Sequence, residues 1–395
     1  MDFYLSEMSV SDLHGGGLTL QRVLAEELDG IPLFVHVCRF GTDYPVAKRF
    51  APNCVDIPLW PESDKVRHAI GRRAAAWLTR RHPIMQSHAK QVAQTILAKV
   101  PESDRPLRAL VCPQGPHSLY AIEALGRLRP LEYVSWVMDD HLVRWHNDNW
   151  HYPADFEEML RKHLKRARTV FVISPSMGEF FRERFGVESE VLFGSADLSA
   201  EPRWDVPQSD GHIRLGYFGA LGPWQLDALV LLADGLAAAN ASLEIYTGNS
   251  ALPEALQRPQ VKLQGRIPPA QVPSTMRTYD AVVLPASFEP HMRNMTGLNI
   301  ATKMSESLAS GTVTFLIGPP YGAMTRYLEE AGAAVLVSNR DPGSVATAVA
   351  SIRDMAFRKN ILQSAQQLVE SNLSSAAMRK IWHRGLARLS QPESA

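Results

Sequence analysis

The chain has 395 residues, with 41 basic against 41 acidic side chains and a formal net charge of zero. That length allows two or three domains with sizeable cores, and the balanced charge argues against a chain that binds nucleic acid over its whole surface. Three widely spaced cysteines, Cys38, Cys54 and Cys112, suggest no disulfide framework and no paired-cysteine metal site, which fits a reducing compartment. The N-terminus lacks the basic-then-apolar layout of a signal peptide and no apolar run reaches the length of a membrane span, so a soluble cytoplasmic protein is expected.

Taken in chain order, an N-terminal strand leads to three glycines, Gly15, Gly16 and Gly17, and a helix read from "LTLQRVLAEEL". "IPLFVHVC", "LRALVCP", "EYVSWVM", "TVFVIS" and "EVLF" follow as strands, with "PSMGEFFRERF" a helix after Ser174. Near-continuous apolar strands separated by helices predict a parallel sheet covered on both faces. "GSADLSAEPRWDVPQSDGH" has the Pro, Ser, Asp and Gly content of a linker. The pattern then restarts with strands at "IRLGYFG", "SLEIYTG", "VKLQG", "DAVVLP", "TVTFLIG" and "AAVLVS", and a helix at "WQLDALVLLADGLAAAN". Beyond about residue 340 the chain reads as helical. The expected fold is α/β, with one Rossmann-like domain over 1–203, a second over 204–373, and helix 374–391 as a candidate to complete the first.

Ligands of open parallel sheets bind at the carboxyl ends of strands, where loops lead into helix N-termini. Gly15–Gly17 occupy such a loop, and glycines there let an anion approach the backbone; a plain tight turn reads the same way. The run is not the spaced pattern of dinucleotide binding and no acid stands at the ribose distance, which disfavours a dehydrogenase. Lys303 and Glu306 lie three residues apart at the start of a helix read from "TKMSESLASG", on one face. A lysine there opposes the helix dipole, which makes sense beside a polyanion such as a diphosphate, with the carboxylate one turn along suited to a ribose diol. On spacing alone, an ordinary intrahelical ion pair is the better account.

"P-x-x-x-E-P" after a strand, then "K-x-x-E-x-L-A-S-G" and a hydrophobic strand, resembles the C-terminal domain of GT-B glycosyltransferases, which have two facing Rossmann-like domains with a cleft between them. The chain is most similar to the retaining family 4. "YFGAL", "LEIYTG" and "VKLQGRIPPAQVPSTMRTYDAVVLP" agree in order, as do "HGGG", "VISPSMGEFF" and "FGSADL" in the first half, so the resemblance covers nearly the whole chain. It implies a hexosyltransferase that moves sugar from a nucleotide-diphosphate donor to a glycan or lipid-linked acceptor, in polysaccharide or glycoconjugate assembly. Metal and cofactor are not expected, and the nucleotide is not named. By position, Glu306 would hold the ribose and Lys303 the diphosphate, with Gly15, Gly16, Gly17, Gly219, Arg266, Ile267, Asn299 and Thr302 also on the donor side. Leu298 stands where the family usually has a second glutamate, and "GALGPWQLD" lacks the usual Arg and Lys. A sugar-nucleotide epimerase of the same fold and an inactive glycan- or nucleotide-binding relative are the alternatives.

In "YVSWVMDDHLVRWHNDNWHYP", Asp139 and Asp140 follow a strand. The histidines recur every five residues, which sets no ligands on one helical face, and the aromatics suit stacking on a sugar. Asp139 is a candidate polar contact to the transferred sugar or the acceptor; Asp140, Trp145 and His117 are acceptor-side candidates, His117 being equally a neighbour of a helix cap. From Lys65 to Val100 there are many basic residues and no acid, with Val66, Ile70 and Trp77 at roughly helical spacing. That pattern fits either peripheral contact with an anionic membrane or a helix packed on its own sheet with a basic outer face.

Overall fold

The computed structural model describes residues 1–37, 45–59, 64–79, 81–143, 152–199, 201–204 and 211–390. The chain divides into two compact units, one made of Met1–Leu192 with the chain from Arg379 onward, the other of Phe193–Met378. The segment 193–203, assigned above to the first half, groups with the second.

The first unit holds a seven-stranded sheet. Its strands are β1 (Phe3–Ser6), β2 (Phe34–His36), β3 (Cys54–Asp56), β4 (Leu107–Cys112), β5 (Leu131–Val137), β6 (Thr169–Val172) and β7 (Glu190–Val191), in the order β3-β2-β1-β4-β5-β6-β7. Every pairing is parallel. The helices are α1 (Gly15–Val23), α2 (Ala25–Asp29), α3 (Asp64–Ile70), α4 (Arg72–Thr79), α5 (His82–Lys99), α6 (Pro116–Gly126), α7 (Phe156–Arg166) and α8 (Pro175–Phe185). Strand residues alternate between faces. Phe3, Leu5, Val35, Ala109 and Val111 therefore share one face and form a core with Val92, Ala93 and Ile96 of α5 and Ala121, Ile122 and Leu125 of α6. By register, Tyr4, Ser6, Phe34, His36 and Cys112 occupy the other face.

The second unit holds β8 (Ile213–Phe218), β9 (Ala241–Tyr246), β10 (Val261–Leu263), β11 (Ala281–Pro285), β12 (Val313–Ile317) and β13 (Val335–Val337), all parallel and ordered β10-β9-β8-β11-β12-β13. Its helices are α9 (Leu226–Leu236), α10 (Val272–Met276), α11 (Arg293–Leu298), α12 (Lys303–Ala309), α13 (Ala323–Ala331), α14 (Pro342–Ser351) and α15 (Met355–Leu368). Leu215, Leu243, Ile245, Val283 and Phe315 join Leu229, Leu232 and Leu236 of α9 in its core. Every strand expected from the sequence is present. β3 had no signal of its own because it is three residues long, at the sheet edge, and only partly buried.

The described part of the linker is fixed to the second unit. Ser199 N–H donates to the Ala309 carbonyl (3.1 Å), and Arg203 N–H donates to that of Gly311 (2.8 Å). The Arg203 guanidinium donates to the carbonyls of Arg277 (3.2 Å) and Tyr279 (3.0 Å). The fully buried Arg358 donates to the Arg203 and Asp280 carbonyls in turn. Polar composition made this stretch read as linker, yet the same backbone groups find partners on a folded neighbour.

The last helix, α16 (Ser375–Ala387), contains the division after Met378. Beyond it, Trp382 packs on Phe171 of β6 with ring centroids 5.3 Å apart, and Arg384 and Arg388 both pair with Glu190. Gly385 makes that docking possible, since a Cβ there would lie 2.2 Å from the Phe171 ring. Gly385→Ala is expected to lower unfolding free energy by about 1–3 kcal/mol through overpacking, although alanine is the better helix former. Denaturant unfolding checks this; an unchanged or raised midpoint would show that α16 docks some other way.

Candidate functional site

Parallel strands are joined by helices that run back antiparallel, so helix starts gather at the carboxyl edge of each sheet. Chain order reverses between β1 and β4 in the first sheet and between β8 and β11 in the second. Loops diverge at such a switch point and leave a crevice.

In the first unit, this edge is filled by the chain's own side chains. His14 caps α1: Gly17 N–H donates to His14 Nδ1 (3.0 Å) and His14 Nε2–H donates to the Ser9 carbonyl (2.7 Å), which suits a single neutral tautomer. Burial holds its pKa below the ordinary histidine value, in the same sense. Gly17 is required by close approach, because a Cβ would lie 2.3 Å from the Ser11 carbonyl oxygen. Gly15–Gly17 thus form the first turn of α1, and the Gly17 N–H is already engaged. The partly buried carboxylate of Glu7, just after β1, accepts from Gln114 N–H (2.8 Å) and from Ser118 N–H (2.8 Å) and Oγ (2.9 Å), closing the start of α6. Burial pushes its pKa up while those bonds pull it down; the net direction is up. Tyr4, Ser6, Met8, His14, Cys112 and Gln114 are among the residues that line a small hollow here.

Asp139 and the acceptor-side candidates Asp140 and His117 do not share one exposure. Asp139 follows β5, partly exposed, with its Oδ1 accepting from Asp140 N–H (2.7 Å) and its Oδ2 3.3 Å from His141 Nε2. Asp140 is buried at the start of a short helical turn. His117 is buried in the first turn of α6, its ring edge-on to His88 at 6.0 Å. Trp145 lies outside the described residues. Among the described residues no group of three or more His, Cys, Asp and Glu is placed to hold a metal ion.

In the second unit, the loop after β8 runs through Gly219 to Gln225 and the loop after β11 through Ala286 to Met292. They are tied together: Ser287 N–H donates to the Trp224 carbonyl (3.1 Å), and Phe288 N–H donates to Asp227 Oδ2 (2.8 Å). Gly219 N–H continues the ladder to the Tyr246 carbonyl (3.0 Å). Lys303 opens α12, the helix between β11 and β12, and so stands at the carboxyl edge. Its Nζ lies 2.5 Å from Glu306 Oε2, with the lysine side chain 35% exposed and the glutamate 9%. The ion pair anticipated from spacing is therefore formed, and it leaves the ammonium reachable from solvent. Asn299 ends α11, its N–H donating to Met295 (2.9 Å), and Thr302 precedes α12 without capping it by its side chain. Arg266 is exposed, and Ile267 packs on the cluster of Phe218, Tyr246 and Tyr279. Leu298 is buried.

Glu289 is the acid of the "P-x-x-x-E-P" pattern, whereas Arg340 and Trp224 had no sequence signal beyond position after a strand. Glu289, after β11, meets Arg340, after β13, at 2.6 Å, and Arg340 also comes within 3.8 Å of Asp227. A guanidinium thus reaches the start of α9 from a loop more than a hundred residues away in sequence, where no local Arg or Lys is present. Trp224 stands partly exposed in the same loop.

No protein-family model and no curated protein sequence matches the chain. Solved structures match over its whole length. HepE of Anabaena in complex with UDP and glucose is 13% identical, with a TM-score of 0.63 over 98% of this chain and 99% of that one. Sucrose-phosphate synthase from Thermosynechococcus elongatus is 14% identical, with a TM-score of 0.68 over 99% of each chain. A glycosyltransferase from Rickettsia africae is 14% identical, with a TM-score of 0.65 over 99% of each chain. The chain has their fold, the two-domain GT-B α/β architecture.

Two buried histidines, His88 and His163, and the partly buried His14 make stability depend on pH. Burial lowers the pKa of His14, His88 and His163, and that of His163 falls to about 3. Below the unfolded value near 6.5 the unfolded chain takes up protons that the folded chain refuses, so stability is complete above about pH 6.5 and falls with pH. His163 alone is expected to remove about 2 kcal/mol between pH 6.5 and 5. Denaturant unfolding across this range should show a shallower pH slope for His163→Gln than for the wild type. Parallel slopes would contradict a neutral buried imidazole.

Proposed function

We propose that the protein is a glycosyltransferase that moves a hexosyl group from a nucleoside diphosphate sugar to a glycan or lipid-linked acceptor, with retention at the anomeric carbon. The observation that carries this reading is a GT-B fold spanning the whole chain, with Lys303 and Glu306 at the carboxyl edge of its second sheet. The HepE structure contains UDP and glucose, which makes a uridine nucleotide the first donor to try.

In this reading the anomeric carbon–oxygen bond to the diphosphate breaks as the acceptor oxygen bonds to the same face of the sugar. The acceptor proton passes to the departing phosphate. Negative charge grows on that phosphate, and the Lys303 ammonium is placed to stabilise it more in the transition state than in the ground state, with Arg266 as a second cation. Lys303 would turn from Glu306 toward the phosphate and free the carboxylate for the ribose hydroxyls. Neither role calls for a metal, so chelation should leave the rate unchanged. Asp139 is, with Lys303, the catalytic candidate, as a polar contact to the transferred sugar or the acceptor. We place the enzyme in polysaccharide or glycoconjugate assembly, working in the cytoplasm and in peripheral contact with an anionic membrane through 65–100. An inactive nucleotide-binding relative is the second reading, favoured by the buried apolar Leu298 in place of a carboxylate.

A thermal-shift series with uridine, guanosine and thymidine diphosphate sugars should single out one nucleotide, since binding to the folded state raises its stability. With that donor, Lys303→Ala is expected to lower kcat about 100-fold, and Glu306→Ala to raise the donor KM roughly ten-fold. Binding without hydrolysis or transfer over a broad acceptor set would point to the inactive relative. An isomerised nucleotide sugar formed without acceptor would point to an epimerase.

A further inference from the structure

The basic stretch 65–100 separates into two parts. α5 packs one face on the core, with Met85, Ala89, Val92, Ala93 and Ile96 buried, and its outer face, with Gln86, Lys90, Gln91 and Lys99, exposes cations but no large apolar side chain. α3 and α4 behave differently. Of their described side chains from Lys65 to Thr79, only Ala75 and Thr79 are buried, while Ile70 is 42% and Trp77 53% exposed. Gly71, at φ +81°, breaks the helix between them and sets their directions independently.

Charge concentrates on the same stretch. Residues 65–100 carry eight Lys and Arg and no Asp or Glu, so the rest of the chain holds eight more acids than bases; four of those cations, Lys65, Arg67, Arg72 and Arg73, lie in α3 and α4, where Asp64 is the one acid. Lys65, His68 and Arg73 are exposed, and the Arg81 guanidinium lies 3.7 Å from the centroid of the Trp77 ring. An indole beside a guanidinium suits the lipid interface, where the ring sits at headgroup depth and the cation meets phosphate. No helix among the described residues is long and apolar enough to cross a membrane.

We infer that α3 and α4, rather than the whole basic stretch, form a peripheral docking element for an anionic lipid bilayer, with Trp77 and Ile70 entering the interface and the surrounding cations meeting headgroup phosphates. This deepens the membrane part of the proposed function and rests on that reading only for its use, not for its test. A nucleic acid or acidic protein would account for the cations alone. Two large exposed apolar side chains within the cationic element favour lipid, because burial of apolar area and attraction to anionic headgroups then act together.

Flotation with vesicles of phosphatidylcholine alone, and of phosphatidylcholine with phosphatidylglycerol, tests this on the full chain without donor. The wild type should float with the anionic vesicles only. Trp77→Ala and Ile70→Ser should each weaken recovery roughly ten-fold, and Arg73→Glu should weaken it further at low salt. Thermal midpoints should not move, since all three side chains are exposed, and donor binding should be unchanged in each variant. Equal recovery on both vesicles overturns the inference. So does binding that survives loss of Trp77 and Ile70 but is abolished by competing single-stranded DNA, which marks a general polyanion surface. Donor binding is measured separately, so failure here leaves the transferase reading standing, and the reverse.

Discussion

A parallel strand cannot be followed by its neighbour without a crossover that returns over one face of the sheet. In this chain that constraint acts in both units and determines where chemistry is possible. The central strands are buried on both faces, the helices run antiparallel to them, and the loops that lead from strand to helix collect at one edge. Reversal of strand order between β1 and β4, and again between β8 and β11, then selects one position on each edge where loops part.

The two edges are treated differently. In the first unit, side-chain acceptors of the chain itself meet the N–H groups of helix starts: His14 for α1, Glu7 for α6 and Ser174 for α8. Each satisfies donors that a helix start would otherwise leave open. In the second unit, α9 and α12 begin without a side-chain cap, and both follow strands beside the switch point. The charged groups nearby, Lys303 with Glu306 and Arg340 with Glu289, are paired with one another while each cation stays partly exposed. At Arg340–Glu289 such an edge can exchange an internal partner for an anionic ligand at small cost, since exposed ion pairs contribute about 1 kcal/mol or less; the Glu306 carboxylate, 9% exposed, would need a new hydrogen-bond donor when Lys303 leaves it.

Much of the fold was legible because parallel strands carry a strong signal. Runs such as "LRALVC" and "TVTFLI" are apolar on both faces and too short for helices, so their type and order follow from composition alone. Short edge elements carry little such signal, and β3 escaped for that reason. Residues 193–204 show a different limit. Their polar composition is that of a linker, and they become part of the second unit because Arg203 donates to its carbonyls and Arg358 donates in turn to the Arg203 carbonyl.

The candidate site divides along the same line. Sequence alone determined that Lys303 and Glu306 share a helical face after a strand, because helical spacing is local and needs no partner element. It also singled out a stretch of cations without acids. What tertiary structure decided is everything that depends on distant segments: Gly17 engaged by His14, His117 and Asp140 buried, Arg340 brought to Glu289 and Asp227, and α5 taken into the core while α3 and α4 stay outside. A side chain's chemistry is written in its residue type. Its availability depends on burial and on partners that the chain brings together only once it is folded.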